Sequence, residues 1–162
     1  MNMINCKQLH KLSLEHQEAL IFAKEIAKIA AEGSEAELAE GFERVNRYYE
    51  NELEEHLQHE EQTIFAPLVQ QHRAHVELCI TLGKEHGFIR TVIEKMTLET
   101  AKKDLAIFAQ VLKNHSLMEE RELFPLLDSL FTEEQLDAVL NYVPLRKYAI
   151  DRAQARRSVT SQ

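Results

Sequence analysis

Four histidines and two glutamates occupy positions where helical periodicity calls for apolar side chains: His16, His56, Glu60, His86, His115 and Glu119. They fall on four helical segments in the order His, His-x-x-x-Glu, His, His-x-x-x-Glu. Taking a lone carboxylate out of water costs on the order of several kcal/mol unless it is paired. Six such groups on core-facing stripes predict a shared partner that satisfies them all, and a pair of metal ions is the economical one. The i, i+4 spacing sets an imidazole and a carboxylate on one helix face, about 5–6 Å apart at Cβ, so both can address one site. A carboxylate can give one oxygen to each of two ions, and a neutral imidazole gives one nitrogen while its second nitrogen sets the ring's orientation. Nitrogen and oxygen donors without thiolate suit iron or manganese and argue against a structural zinc cluster.

The spacing alone is a weak signal. Glu fills 23 of 162 positions, so eight His give roughly one His-x-x-x-Glu by chance, and two occur. Context strengthens it. Both pairs interrupt apolar stripes, and both stand in similar segments, His56-Leu-Gln-His-Glu-Glu-Gln-Thr-Ile-Phe-Ala-Pro67 and His115-Ser-Leu-Met-Glu-Glu-Arg-Glu-Leu-Phe-Pro125. Each comes after a segment with its own stripe histidine, Glu15-His16 and Glu85-His86. This internal likeness predicts a duplicated helical hairpin with two like ligand sets about a pseudo-twofold axis.

Four rods must position these residues. The first covers residues 7–32, with Leu9, Leu12, His16, Ala19, Ala23, Ile26 and Ala30 on one face, and ends at Gly33. Ser34 and Glu37 form a capping-box pattern, and Gly41 makes residues 34–41 read as an irregular lead-in. The second rod carries Phe42, Val45, Tyr49, Leu53, His56, Glu60, Ile64 and Leu68 and runs to about residue 70, with Pro67 expected to kink or end it. The third covers residues 74–96, with Cys79, Leu82, His86, Ile89, Ile93 and Met96 inward. The fourth covers 99–129, with Leu105, Phe108, Leu112, His115, Glu119, Leu123, Leu126 and Leu130 inward. A short fifth helix starts at Thr132 and stops before Pro144. The expected fold is all-α: an up-down-up-down four-helix bundle over residues 1–145, then a basic tail, 146–162. Residue counts from each ligand to the nearest turn agree to within a turn or two, so all six can share one layer.

Low Gly and Pro content, no Trp and a net charge of −8 describe one acidic helical domain. The charge disfavours nucleic acid and anionic membranes as partners. Arg146, Lys147, Arg152, Arg156 and Arg157 oppose it locally in the tail. Cys6 and Cys79 form no C-x-x-C pair and read as reduced, buried thiols. No signal-peptide core or membrane span is visible, so a soluble cytoplasmic protein is expected. Oligomeric state is left open.

Other polar residues have plainer readings. Glu15, Glu85, Glu61 and Glu120 point about 100° away from the neighbouring ligand and are expected in solvent, with support of a ligand from behind as the alternative. His59 reads as a solvated helix edge within reach of the site. His10, His72 and His75 fall near element ends, Tyr49 reads as core packing, and Arg90 is expected to pair with Glu94.

At these residues the chain resembles the hemerythrin-like, or HHE cation-binding, family, over about residues 9–130. The order His16, His56-x-x-x-Glu60, His86, His115-x-x-x-Glu119 fits its pattern, and Glu119-Glu-Arg-Glu-Leu-Phe-Pro125 fits its second motif. The resemblance implies a non-haem centre of two iron ions, with manganese or zinc as substitutes. The two Glu would bridge, the four His would cap, and an oxo or hydroxo group would complete the bridge. Pro67 falls one residue later than the pattern. The oxygen-carrying members have two His on the third helix, whereas here Leu82 and Arg90 stand four residues either side of His86. That departure speaks against oxygen carriage in their manner.

Three functions are compatible with these residues. The first is a dinuclear metal protein that senses, carries or buffers oxygen, nitric oxide or iron, with iron donation for repair of damaged iron centres as a variant. The second is a di-iron oxidase or peroxidase, disfavoured because ferritin-like oxidases use Glu-x-x-His pairs and more carboxylates. The third is a metal-free helical interaction module.

Overall fold

The computed structural model describes residues 6–144, and these are helical with no strand among them. The basic tail expected at 146–162 lies outside the described residues. The first rod comprises a 3-10 turn, Lys7–Leu9, and an α-helix, His10–Glu32. The second runs continuously over residues 35–71. The third has a 3-10 turn, Arg73–His75, and an α-helix, Val76–Lys95. The fourth runs over residues 101–130, and a short fifth helix spans Glu133–Leu140. The first and third rods both pack along the fourth.

The predicted lead-in is regular helix from Glu35, with the Ser34 hydroxyl accepting from the Glu37 N–H and the Glu37 carboxylate accepting from the Ser34 N–H. Gly41 breaks nothing. A Cβ there would lie 3.1 Å from both Ile29 Cγ2 and Leu105 Cδ1, so the glycine lets three rods approach closely.

Three π turns interrupt the rods, at Tyr49–Leu53, Glu61–Phe65 and Glu119–Leu123. Pro67 and Pro125 come after the last two, in the first turn of a new α segment, Ala66–Gln71 and Phe124–Leu130. The wider turn absorbs the missing N–H, so the helix continues past Pro67 to Gln71. Each π turn also adds a residue and rotates the helix beyond it. Past Glu119 the buried face is therefore Leu123, Phe124, Leu127 and Phe131, whereas Leu126 and Leu130, predicted inward from an unbroken period, are half-buried.

The apolar core falls into two clusters. One is built on Ala19, Ile26, Leu57, Ile89 and Phe108, the other on Leu12, Ile64, Leu82, Leu127 and Val139. In the first, third and fourth rods the predicted polar residues lie between the two in sequence, and in the second they fall at the junction, so a polar layer crosses the bundle between two greasy ones. The fifth helix closes one end. Its Thr132–Gln135 capping box forms as expected, and Gln8 reaches Glu133 and Asp137 at 3.1 and 3.3 Å. Among the described residues no helix is long and apolar enough to cross a membrane.

Candidate metal centre

The six predicted residues meet in that layer. Glu60, His86 and Glu119 are 0% exposed, His16 and His115 1%, and His56 7%. Nε2 of His16, His56 and His86 each lie 3.3 Å from a Glu60 oxygen. Glu119 lies 3.7 Å from His16 Nε2, 3.8 Å from His86 Nε2, and in direct contact with His115 Nε2. The Nε2 atoms pair across the layer, His16 with His56 at 3.2 Å and His86 with His115 at 3.0 Å. Two donor groups result, each with its ligating atoms within 4.8 Å: His16, His56 and Glu60, and Glu60, His86, His115 and Glu119. Glu60 belongs to both, as a bridging carboxylate must.

None of the four carboxylate oxygens of Glu60 and Glu119 has a hydrogen-bond partner. Buried carboxylates left in this condition are costly in a folded protein. Ringed by imidazole nitrogens, they form a candidate donor set for metal cations.

The outer nitrogens carry a second ring of carboxylates. Nδ1–H of His16 donates to Glu120 at 2.7 Å, that of His86 to Glu61 at 2.8 Å, and that of His115 to Glu85 at 3.0 Å. Nδ1 of His56 faces Glu15 at 3.5 Å. The contacts run round the bundle. Glu15 of the first rod faces a histidine of the second, Glu61 of the second holds one of the third, Glu85 of the third holds one of the fourth, and Glu120 of the fourth holds His16 of the first. A carboxylate only accepts, so Nδ1 must donate and Nε2 is aimed inward.

These four glutamates correct the expectation that they are solvated. Each is the chain neighbour of an inner ligand, Glu15-His16, Glu60-Glu61, Glu85-His86 and Glu119-Glu120. That adjacency is the signal that could have found them. A side chain 100° off its own stripe points at the next rod, not only at water.

Arg90 also differs from expectation. Its guanidinium spans Glu54 at 2.9 and 3.0 Å and Glu61 at 2.8 and 3.1 Å, and so braces the carboxylate that holds His86. His59 is kept from the site: its Nε2–H donates to Val139 O at 2.6 Å and its ring stacks on Tyr142 at 4.4 Å. Phe65 and Phe124 each stand five residues beyond an inner Glu and lie 5.1 Å from the rings of His86 and His16. The π turns bring them there, which gives the shared Phe of the two motifs its physical meaning.

Residues 8–127 match the family model of the hemerythrin HHE cation binding domain. The chain belongs to that family. No curated protein and no solved structure matches it.

The electrostatics of this hemerythrin-family layer are set by its geometry. Burial opposes the charged form of all four imidazoles, but the surrounding carboxylates outweigh it. His16 is raised by Glu120 and Glu60, His56 to about 10 by Glu60 and Glu15, His86 to about 11 by Glu119, Glu60 and Glu61, and His115 to about 9 by Glu119 and Glu85. Burial likewise opposes ionisation of Glu60, yet His56, Glu119 and His16 hold it well below the usual carboxylate range. Two Nε2 atoms about 3 Å apart cannot both donate to each other. Protons and a metal cation would compete for these nitrogens.

Proposed function

We propose that this chain is a non-haem dinuclear iron protein, with His16 and His56 on one ion, His86 and His115 on the other, and Glu60 and Glu119 between them. The observation that carries the reading is the pair of buried carboxylates, without hydrogen-bond partners and encircled by four inward nitrogens. Two dications bring four positive charges. Against these stand Glu60, Glu119 and the four outer carboxylates, while Arg90 is offset by Glu54, so two dications would neutralise most of the layer's negative charge. Donors of nitrogen and oxygen without thiolate favour iron, with manganese or zinc as substitutes.

An iron pair with an oxo or hydroxo bridge offers open coordination positions for a small ligand such as oxygen or nitric oxide. We read the protein as sensing, carrying or buffering such a ligand, or iron itself, with a di-iron oxidase or peroxidase as the alternative. Symmetric two-histidine capping differs from the uneven set of the oxygen carriers and favours sensing or buffering. We further assign an up-down-up-down topology to the four rods among the described residues, supported by the short connections at 33–34, 72 and 96–100. The buried free thiols Cys6 and Cys79 suit a reducing cytoplasm.

The test is metal analysis of the native protein, then anaerobic and aerobic visible spectra with nitric oxide added. Two equivalents of iron and an absorption band that responds to oxygen or nitric oxide are expected. Less than one equivalent of metal, with thermal stability indifferent to chelation, would leave a metal-free helical module instead. Steady turnover of oxygen or hydrogen peroxide would revive the oxidase reading.

A further inference from the structure

A cavity of about 240 Å³ lies against the polar layer and is lined by both His56 and His115, one from each half of the centre. Its remaining polar wall is acidic: Glu15, Glu18, Glu52 and Glu55 stand against Lys11 alone. Tyr48 lines it too, its phenol pushed up first by burial and then by Glu52, Glu15 and Glu18.

The cavity meets the layer at its most loosely held ring. Three outer nitrogens sit 2.7–3.0 Å from their carboxylates, but His56 Nδ1 is 3.5 Å from Glu15, and neither it nor Glu15 Oε1 has a hydrogen-bond partner. His56 is nonetheless 7% exposed and is a wall of the cavity. A buried ring with a slack outer tether can turn toward that space. Oxygen and nitric oxide are uncharged and gain nothing from four carboxylates, whereas a divalent cation does.

We propose that this cavity is a transient binding site and access route for divalent cations, with Glu15 as the relay carboxylate and His56 as the ligand that swings to admit the ion. The inference rests on the dinuclear reading and adds the route by which the centre fills.

The test is stopped-flow loading of cobalt(II) into full-length protein stripped by a chelator, read by the cobalt ligand-field bands. Glu18→Gln/Glu52→Gln removes two charges from solvent-exposed positions on the cavity wall, and Asn51→Trp obstructs its exposed rim. The double variant should load about tenfold more slowly, with a flatter salt dependence, and reach the same final stoichiometry. Asn51→Trp should load more slowly at every salt concentration. Glu35→Gln/Glu43→Gln, the same charge change away from the cavity, should load like wild type. Unchanged rates in both cavity variants, or equal slowing in the control pair, overturn the route while two bound equivalents leave the dinuclear reading intact. Failure of the wild-type protein to bind cobalt at all overturns both.

Discussion

Oε1 of Glu120 lies 2.7 Å from Nδ1 of His16, although 104 positions separate them. The bond ties the fourth rod to the first at the height of the polar layer and fixes the His16 ring so that Nε2 points at Glu60 and Glu119. Outer partners of this kind set ligand orientation and basicity, and their loss costs about 10–100-fold in metal affinity. Glu120→Ala should weaken binding by that amount in a chelator competition. Glu120→Gln, whose amide oxygen still accepts from Nδ1–H, should weaken it less. Equal affinity for wild type and the alanine variant would mean that Phe124 packing alone orients His16.

Arg90 makes the corresponding brace on the opposite side. Burial works against ionised Glu54 and Glu61, but Arg90 for the first, and His86 with Arg90 for the second, outweigh it and lower both pKa values. Groups with depressed folded pKa values contribute stability that is present above their unfolded value, about 4.3, and is lost as pH falls through the folded value. Arg90 and Glu61 are 29% and 32% exposed, so screening reduces the effect. Arg90→Met should lower the unfolding free energy of the chelated protein by about 1–2 kcal/mol at pH 7. In urea titrations the difference from wild type should shrink below about pH 4, where the carboxylates protonate in both proteins. A pH-independent difference would assign the loss to packing of the arginine stem.

The histidines give the opposite sign. Their folded pKa values, about 10, 11 and 9 for His56, His86 and His115, stand above the unfolded value near 6.5. The stability they give the metal-free fold is fully present below about pH 6.5 and is lost as pH rises through the folded values. Metal ions compete for the same nitrogens, so affinity should climb over that window with release of protons. The rise in melting temperature on adding iron(II) anaerobically should be larger at pH 8.5 than at pH 6. An equal rise at both would exclude the buried imidazoles as the atoms that take up the metal.

Much of the centre is legible in the sequence because burial is periodic. His16 and His86 each replace an apolar residue in a stripe that otherwise continues unbroken, and the four-residue spacing of His115 and Glu119 survives on one α-helical face. The outer carboxylates are not legible by the same rule. Glu61 and Glu120 leave their own stripe, and only the approach of a neighbouring rod buries their oxygens against His86 and His16. The inward side of residues 123–131 departs from the expected period for a local reason. A π turn leaves no apolar signature, and it shifts the period by one residue, from Leu126 and Leu130 to Leu127 and Phe131. Gly41 reads as a break because the sequence does not reveal that Ile29 and Leu105 pack over it.

The four glycines separate these roles by experiment. Gly83 and Gly87 sit inside the third rod beside His86, with nothing within 4 Å of a Cβ added to either. Alanine there costs no space and gains about 0.5–1 kcal/mol of helix propensity each. At Gly33 a Cβ would lie 2.4 Å from the carbonyl oxygen of Ile29, the atom that accepts the Gly33 N–H at 2.8 Å. Backbone cannot yield as a side-chain tip can, so Gly33→Ala should destabilise by about 1–3 kcal/mol. Gly41→Ala falls between. It gains about 1 kcal/mol of propensity, but Leu105 is fully buried and has little room to retreat, so a small net loss is expected. Urea unfolding of the chelated protein should therefore rank Gly87→Ala above wild type, wild type above Gly41→Ala, and Gly33→Ala last. Gly33→Ala as stable as wild type would show that the turn between the first two rods is not as tight as the Ile29 contact requires.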